Sequence, residues 1–451
     1  MVLFWSTDFG GSFVLEGMFI MTDRKRIRIH DFQFCTRPNA DGFSLGNIAG
    51  IGMYPDRSVL LPGIVYLDGS HHSEVIKLYW HEYLHAIGIG ASELRFVEGE
   101  SLFAGILNDR DERVRLAQEL SNGRHRTLEA FSASVEFDQF VDTLGLDSSR
   151  LRTPTLEVMR LIDDKEYFRR LAGELGMPDV FPNHAFATEP AEVLGQICAY
   201  RKRYPRLVVV KRPDLESGVG QLLIRPGTSD REIEAFVRLY ATGHRPIIIE
   251  EGVFGTEASL QWNIGSKGPE RRFFGRQYTS DGAHEGNVIS HDGIDCLPSE
   301  WSYANRFAII EKIWEATGVF VEWIEKQGYI GPIGFDFFVE EQGFKFLECN
   351  ARTTAATYLE KVRYQVEANG FSNLSAAMKN VYPKHARSWR HAVTQLTLHD
   401  DHMAFDPDRG TGVIIANPRL FHLPKSKCLA IAVGDSVEHA EQLLHQAIAI
   451  L

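Results

Sequence analysis

The stretch GFDFFVEEQGFKFLECNAR, residues 334–352, constrains the fold more than any other part of the chain. Its apolar runs and the polar turn EEQG between them predict two short strands folded into a hairpin. Asp336 lies on the first strand, and Glu348 and Asn350, two residues apart, lie on the second. Side chains alternate across a strand, so this spacing puts Glu348 and Asn350 on one face, and pairing brings Asp336 beside them. Two carboxylates and an amide oxygen are hard donors suited to Mg²⁺, especially when phosphates complete its shell. Arg352 continues the period, and a fixed guanidinium suits a phosphate. The plainer alternative is an amphipathic hairpin with a polar outer face. The same period turns Cys349 to the opposite side, as a core residue rather than a nucleophile.

The rest of the chain is that of an ordinary globular protein: 451 residues, 44% hydrophobic and 24% charged, enough for two or three domains. A net charge of −12 argues against a nucleic-acid binder. Five scattered cysteines suggest reduced thiols and a cytoplasmic setting. The N-terminus lacks the basic-then-apolar order of a secretion signal, and no apolar run is long enough to span a membrane.

Residues 1–155 read as an α/β domain, with strands in RIRIHDF and SVLLPGIVYLDG and helices over 73–89, 109–120 and 127–144. A new unit starts near Thr153, and a helix begins at Asp163-Asp164, runs through Lys165 and stops before Pro178. Helices over 191–203 and 229–242 then alternate with the strands RLVVVKRP and PIIIEEGV. After Gly255, EASLQWNI and RRFFGRQYT alternate as antiparallel strands do. Helices near 305–317 and 321–327 precede the hairpin. Residues 381–451 form a smaller tail with strands near GVIIAN and CLAIAVG and a last helix over 436–450.

Two further motifs carry chemistry. In VVVKRPDLESGVGQLLI, Lys211 closes a buried strand and a loop with two glycines follows. Glycine lets backbone N–H groups turn toward an anion, and lysine adds a mobile positive charge; the bland alternative is an ordinary turn. In PIIIEEGVFGTEASL, Glu250 and Glu251 stand together at a strand end, where two carboxylates repel unless a cation or donor is near. An acceptor there suits an adenine amino group, the Val253 N–H suits the ring, and Glu257 suits ribose hydroxyls; the alternative is a solvated strand end.

Taken in order, a phosphate-type lysine, an acidic hinge and a carboxylate hairpin, with these separations, resemble the ATP-grasp superfamily of carboxylate–amine and carboxylate–thiol ligases. The resemblance covers roughly residues 156–360. It implies an α/β (α+β) ATP-grasp module over 156–380, with a lid over about 178–252 and residues 381–451 completing it, behind a pre-ATP-grasp domain over 1–155. By the resemblance Lys165 and Lys211 are nucleotide lysines, and Ser217, Gly218, Val219 and Gly220 form the phosphate loop. Glu250, Glu251 and Val253 match the adenine hinge, and Glu257 the ribose carboxylate. Asp336, Glu348 and Asn350 match the ligands of two Mg²⁺ ions, and Arg352 steadies the transferred phosphate. Gly334 stands where D-alanine ligases carry an arginine, which sets the chain apart from them. Domain order and length look more like the peptide ligases of natural-product assembly, of the pheganomycin type.

The activity so implied is ATP-dependent: a carboxylate becomes an acylphosphate, an amine displaces phosphate, and a peptide or amide results. Lys211 and Arg352 are its catalytic residues, and Arg276, His284 and Glu285 are substrate candidates. Partners are small carboxylates and amines or peptides, with a carrier protein and a homodimer as further options. Two alternatives compete. One is a non-catalytic nucleotide-binding module. The other is a zinc hydrolase built on HEYLH, where His81 and His85 would share a helix face and Glu82 would act as base. That motif lacks its third histidine, since Ala91 stands there; Glu98 and Glu100 are the available substitutes.

Overall fold

In a computed structural model, residues 25–32, 51–69, 73–122, 126–215, 219–280, 282–399 and 401–451 are described; all elements below are those of the described residues. The first sheet holds β1 (Arg26–Ile29), β2 (Ile64–Asp68), β3 (Glu93–Val97) and β4 (Thr127–Ala130), in the order β3-β2-β1-β4 and parallel throughout. β1, β2 and β4 are buried along most of their length, as a parallel sheet requires, while the edge strand β3 is half-buried. Ile27, Ile29 and Tyr66 pack with Phe103, Phe137 and Phe140 from the helices Leu102–Asn108 and Val135–Leu144.

The second sheet comprises β5 (His184–Ala187), β6 (Val208–Lys211), β7 (Gln221–Ile224) and β8 (Ile247–Glu251), antiparallel in the order β5-β8-β6-β7. Val208 and Val210 turn inward onto the helices Pro190–Arg203 and Asp230–Tyr240. By the strand period, Val209 and Lys211 face the other way.

The third sheet is antiparallel and eight-stranded: β9 (Thr256–Gly265), β10 (Gly268–Ser280), β11 (Ala283–Ile289), β12 (Gly331–Glu340), β13 (Gly343–Asn350), β14 (Ser375–Val381), β15 (Gly412–Ala416) and β16 (Cys428–Gly434). Its order is β13-β12-β9-β10-β11-β14-β16-β15. Behind the β12–β13 hairpin, Phe335 and Phe346 pack with Phe168 of the helix Lys165–Glu174 and Phe320 of the helix Tyr303–Lys326, with ring centroids 4.6–6.4 Å apart.

Three expectations are corrected. Thr127–Ala130 is strand β4, not helix, because it pairs residue for residue along β1; tertiary pairing overrides its weak helical preference. The helix that starts at Ser73 ends at Tyr79 and passes into one π turn, Trp80–Leu84. The two helices expected over 305–327 are one of 24 residues, running through Gly318, with buried Thr317 accepting from Trp262 Nε1 at 3.0 Å. Among the described residues no helix is long and apolar enough to cross a membrane.

The helix Ala355–Ala368 joins the parallel sheet's unit to the large sheet. Gln365 donates to the Leu60 carbonyl and accepts from the Gly90 N–H, each at 2.8 Å. Nearby, Arg419 binds Asp56 with both partners buried and contacts of 2.6–3.0 Å. Asp56→Ala leaves a buried guanidinium short of its main counter-ion, and breaking such a pair costs about 3–5 kcal/mol. Urea unfolding is expected to show that loss, and the apolar double variant Asp56→Leu/Arg419→Met is expected to recover most of it. An unchanged midpoint in Asp56→Ala would contradict this role.

Candidate active site

The β5–β8 sheet and the eight-stranded sheet face one another across a cleft of about 1320 Å³. Its apolar lining includes Leu207, Val209, Leu223 and Val253 from the smaller sheet's side and Phe338 and Leu347 from the hairpin. A flat heteroaromatic ring suits such a lining. Much of the remaining lining is charged.

The charged floor depends on a β-bulge. Asp336 pairs with Glu348, but Phe337 pairs with Phe346, so Leu347 is the extra residue of β13. Plain alternation would put Phe346 and Glu348 on one face. The bulge instead sends Phe346 into the core and turns both Leu347 and Glu348 to the cleft, a re-aiming typical of bulges beside functional sites. β11 repeats the device. Tyr278 pairs with Gly286 and Thr279 with His284, so Glu285 is extra, and both His284 and Glu285 line the cleft.

Asp336 and Glu348 thus sit directly across from each other. Burial first, and the charge of Glu348 second, push Asp336 well above the usual carboxylate range. Gln277 Nε2 donates to Asp336 Oδ1 at 2.7 Å, and Asn350 Nδ2 to its Oδ2 at 2.8 Å. Burial alone would raise Glu348 too, but Lys165 and then Lys211 outweigh it and hold it below its ordinary value. Lys165 Nζ lies 3.1 Å from Glu348 and donates to the Leu215 carbonyl at 2.8 Å, tying its helix to the loop after β6. Lys211 is ion-paired to Glu250, whose other oxygen meets Arg169 Nη2 at 2.7 Å. Burial lowers Lys211, against the pull of Glu250. Arg352 Nη1 contacts Asp163 at 2.9 Å, and Asp163 also accepts from the Ala351 N–H at 2.6 Å.

Two half-buried carboxylates that repel, with an amide beside them, are a hard-oxygen donor set. That fits Mg²⁺, which is held by one or two carboxylates plus substrate phosphates rather than by an all-protein cage. Among the described residues no three His, Cys, Asp or Glu side chains converge as a metal set.

Lys165, Lys211, Val219, Glu250, Glu251, Val253, Glu257, His284, Glu285, Asp336, Glu348, Asn350 and Arg352 all line the cleft. Gly220 closes the loop beside it: its φ is +69°, its carbonyl accepts from the Arg212 N–H at 2.9 Å, and a Cβ there would lie 2.6 Å from Leu215. Ser217 and Gly218 lie outside the described residues. Glu250 does not stand open to an adenine, because Lys211 and Arg169 occupy its carboxylate. Glu251 accepts from the Asn183 N–H and side-chain amide at 3.0 and 2.9 Å. Burial raises Glu257, opposed by a hydrogen bond from Thr279.

Arg276 is corrected as a substrate candidate. Gln277 and Thr279 take the cleft face of β10, while Arg276 and Tyr278 reach Glu441 on the helix Val437–Ile450, Arg276 at 2.8 Å. HEYLH is corrected too. It falls on the π turn, where Tyr83 and Leu84 are core, Glu82 is paired to Arg390, and no third ligand joins His81 and His85 among the described residues.

Four residues that contact the cleft's charged groups lie outside the motifs. Arg169 is legible in principle, four residues after Lys165 on one helix face, and Gln277 sits two before Thr279 on an alternating strand. Asp163 and Ser259, which also bonds Asp336, carry no local signal. Glu250→Gln removes the charge that balances buried Lys211 and Arg169, so a loss of about 3 kcal/mol is expected in denaturant unfolding without nucleotide. Stability equal to the parent's would show that the triad carries no structural weight.

No protein-family model matches this chain, and no curated protein matches its sequence. Solved structures do. The chain is similar to N5-carboxyaminoimidazole ribonucleotide synthetase from Thermus thermophilus, with TM-score 0.52 and 16% identity over 86% of this chain and 91% of that one. It is similar to the Staphylococcus aureus N5-carboxyaminoimidazole synthetase complexed with ADP, with TM-score 0.52 and 12% identity over 94% and 96%. The Aspergillus clavatus synthase in complex with ADP and 5-aminoimidazole ribonucleotide gives TM-score 0.50 and 12% identity over 88% and 99%. Likeness at such identities is likeness of fold, and the fold it establishes is the one the three motifs pointed to: the chain has the ATP-grasp fold.

Proposed function

We propose that this protein is an ATP-dependent carbon–nitrogen ligase that activates a carboxylate as an acylphosphate and couples it to an amine. The observation that carries this reading is the Asp336–Glu348 pair on a bulged hairpin, with Lys165, Lys211 and Arg352 lining the same cleft. The ADP-complexed synthetases of the same fold support nucleotide binding here.

In this reading the adenine lies against the apolar lining, with the hinge at Glu251 and Val253 along its edge and Glu257 on the ribose. Lys165 and Lys211 take the phosphates; Arg169 and Glu250 hold Lys211 extended toward them. Asp336, Glu348 and Asn350 would hold Mg²⁺, which would supply charge neutralisation at the phosphates. Arg352, fixed by Asp163, faces the phosphoryl group in transfer. A substrate carboxylate oxygen attacks the γ-phosphorus, the bond to the bridging oxygen breaks, and ADP leaves. The amine nitrogen then attacks the acyl carbon, loses a proton, and phosphate departs. Side-chain acid–base work is small, and most of the rate comes from positioning and fixed charge. The finer reading, that the product is a peptide or amino-acid amide made in biosynthesis, rests on the family resemblance.

ADP release from a panel of amino acids and peptides, each offered with ATP and MgCl₂, tests the reading. Glu348→Ala is expected to lower kcat about 100-fold or more, in the range seen when one transition-state stabiliser is removed. EDTA is expected to abolish ADP release and excess MgCl₂ to restore it. Undiminished turnover by Glu348→Ala would refute the proposed metal site, and no release with any carboxylate–amine pair would refute the ligase reading.

A further inference from the structure

The far end of the cleft holds positive charge that the chemistry at the hairpin does not use. Arg57 and Lys427 both line the cleft and are each 7% exposed. Among the described residues every other buried arginine has a carboxylate partner: Arg28, Arg95, Arg169, Arg212, Arg363 and Arg419. Arg57 has none there. Its Nη2 donates to Asn380 at 3.2 Å, its guanidinium lies 4.4 Å over the Tyr54 ring, and its Nε has no hydrogen-bond partner. Lys427 donates to the Tyr54 hydroxyl at 2.6 Å, and its Nζ lies 5.1 and 5.7 Å from the ring centres of Tyr54 and Tyr382. It too meets no carboxylate among the described residues. Buried cations are costly unless something anionic pairs with them, and an unpaired, buried guanidinium on a cleft wall presents its fork to whatever enters.

This charge is remote from the nucleotide cations. Asn380 is on β14, and β12 bears Asp336; β9, β10 and β11 lie between them. Strands about 4.8 Å apart put β14 about 19 Å along the sheet from β12, and long side chains reach back over part of that gap. His284, on β11, feels the charge of Arg57, so the intervening floor is continuous with both ends.

We propose that Arg57 and Lys427 form a subsite for an anionic group, a carboxylate or a phosphate, on the molecule being ligated, seated against Tyr54 and Tyr382. The substrate class that fits is extended, with its reacting end at the hairpin and a fixed anionic group at Arg57 that takes no part in bond formation. That class rests on the ligase reading; the anion site itself does not, and is tested without turnover.

The test is calorimetric titration of the full chain, saturated with Mg-ADP, using succinate and inorganic phosphate as separate probes for the two kinds of anion. At least one is expected to bind, and Arg57→Gln and Lys427→Gln are each expected to weaken it about tenfold or more, as loss of a charge-assisted hydrogen bond does. ADP affinity measured on the same variants within about twofold of the parent's shows that they are folded, and Arg57→Lys is expected to retain part of the binding. Absence of binding by both probes overturns the subsite. So does anion binding that survives both variants, or that is lost in Lys211→Ala and kept in Arg57→Gln. Anion binding through Arg57 in a protein that takes up no ADP would leave the subsite standing and remove the ligase reading.

Discussion

Asp336 and Glu348 stand opposite each other on a hairpin whose other face is packed phenylalanine. Two carboxylates so placed repel, so the elements around them must bring counter-charge. Lys165 comes from the helix beneath, and its own Leu215 contact fixes the loop after β6. Lys211 comes from the facing sheet, and being buried it in turn needs Glu250, which needs Arg169. Arg352, just past the hairpin, is held by Asp163. The pairing of charge therefore dictates which helix, which strand and which hinge meet at this seam, and the apolar packing behind them supplies the stability that makes the arrangement affordable.

Rigidity follows from where these side chains are mounted. Phe335 and Phe346 lock the hairpin onto Phe168 and Phe320, and Lys165 and Arg169 sit on the same helix as Phe168. A displacement of that helix would disturb the aromatic core and both cations together. At the other end the helix Ala355–Ala368 and the Arg419–Asp56 pair clamp the parallel sheet's unit to the large sheet. The clamp sets Arg57, on the 51–60 segment, against Asn380 on β14. Functional groups carried on packed elements of this kind are held more closely than groups on free loops.

Much of this seam was legible in the sequence. Alternation gives Glu348 and Asn350 one face, and a polar turn gives Asp336 its neighbours. What alternation could not give is the bulge at Leu347. By strict period two, Phe344, Phe346, Glu348 and Asn350 share a face, which would set phenylalanine among the polar groups of the cleft; only the pairing with β12 reveals the extra residue. His284 and Glu285 both facing the cleft is the same kind of event on β11. Thr127–Ala130 has no strand signature of its own and becomes one through β1. Arg57 could not be found locally either, since its partner Asn380 is 323 residues away. The sequence exposes periodicity and local chemistry, and it conceals whatever depends on a distant strand's register.

The two ends of the cleft differ in how their charge is balanced. At the hairpin each cation already has a carboxylate: Lys165 has Glu348, Lys211 has Glu250, and Arg352 has Asp163. A bare anion arriving there gains little, because every lysine contact it makes is one that a glutamate gives up. On the ligase reading, phosphates arriving with Mg²⁺ alter that balance, since Glu348 and Asp336 exchange a lysine and mutual repulsion for a divalent cation while the lysines turn to phosphate. Such a site discriminates in favour of the metal–nucleotide pair over either component alone. Arg57 and Lys427 have no carboxylates to exchange among the described residues, so an anion meeting them competes only with the neutral Asn380 and Tyr54 acceptors and with ring contacts. On these two proposals the cleft is selective by charge at both ends on opposite terms: the neutralised end takes a balanced pair, and the positive end takes an anion.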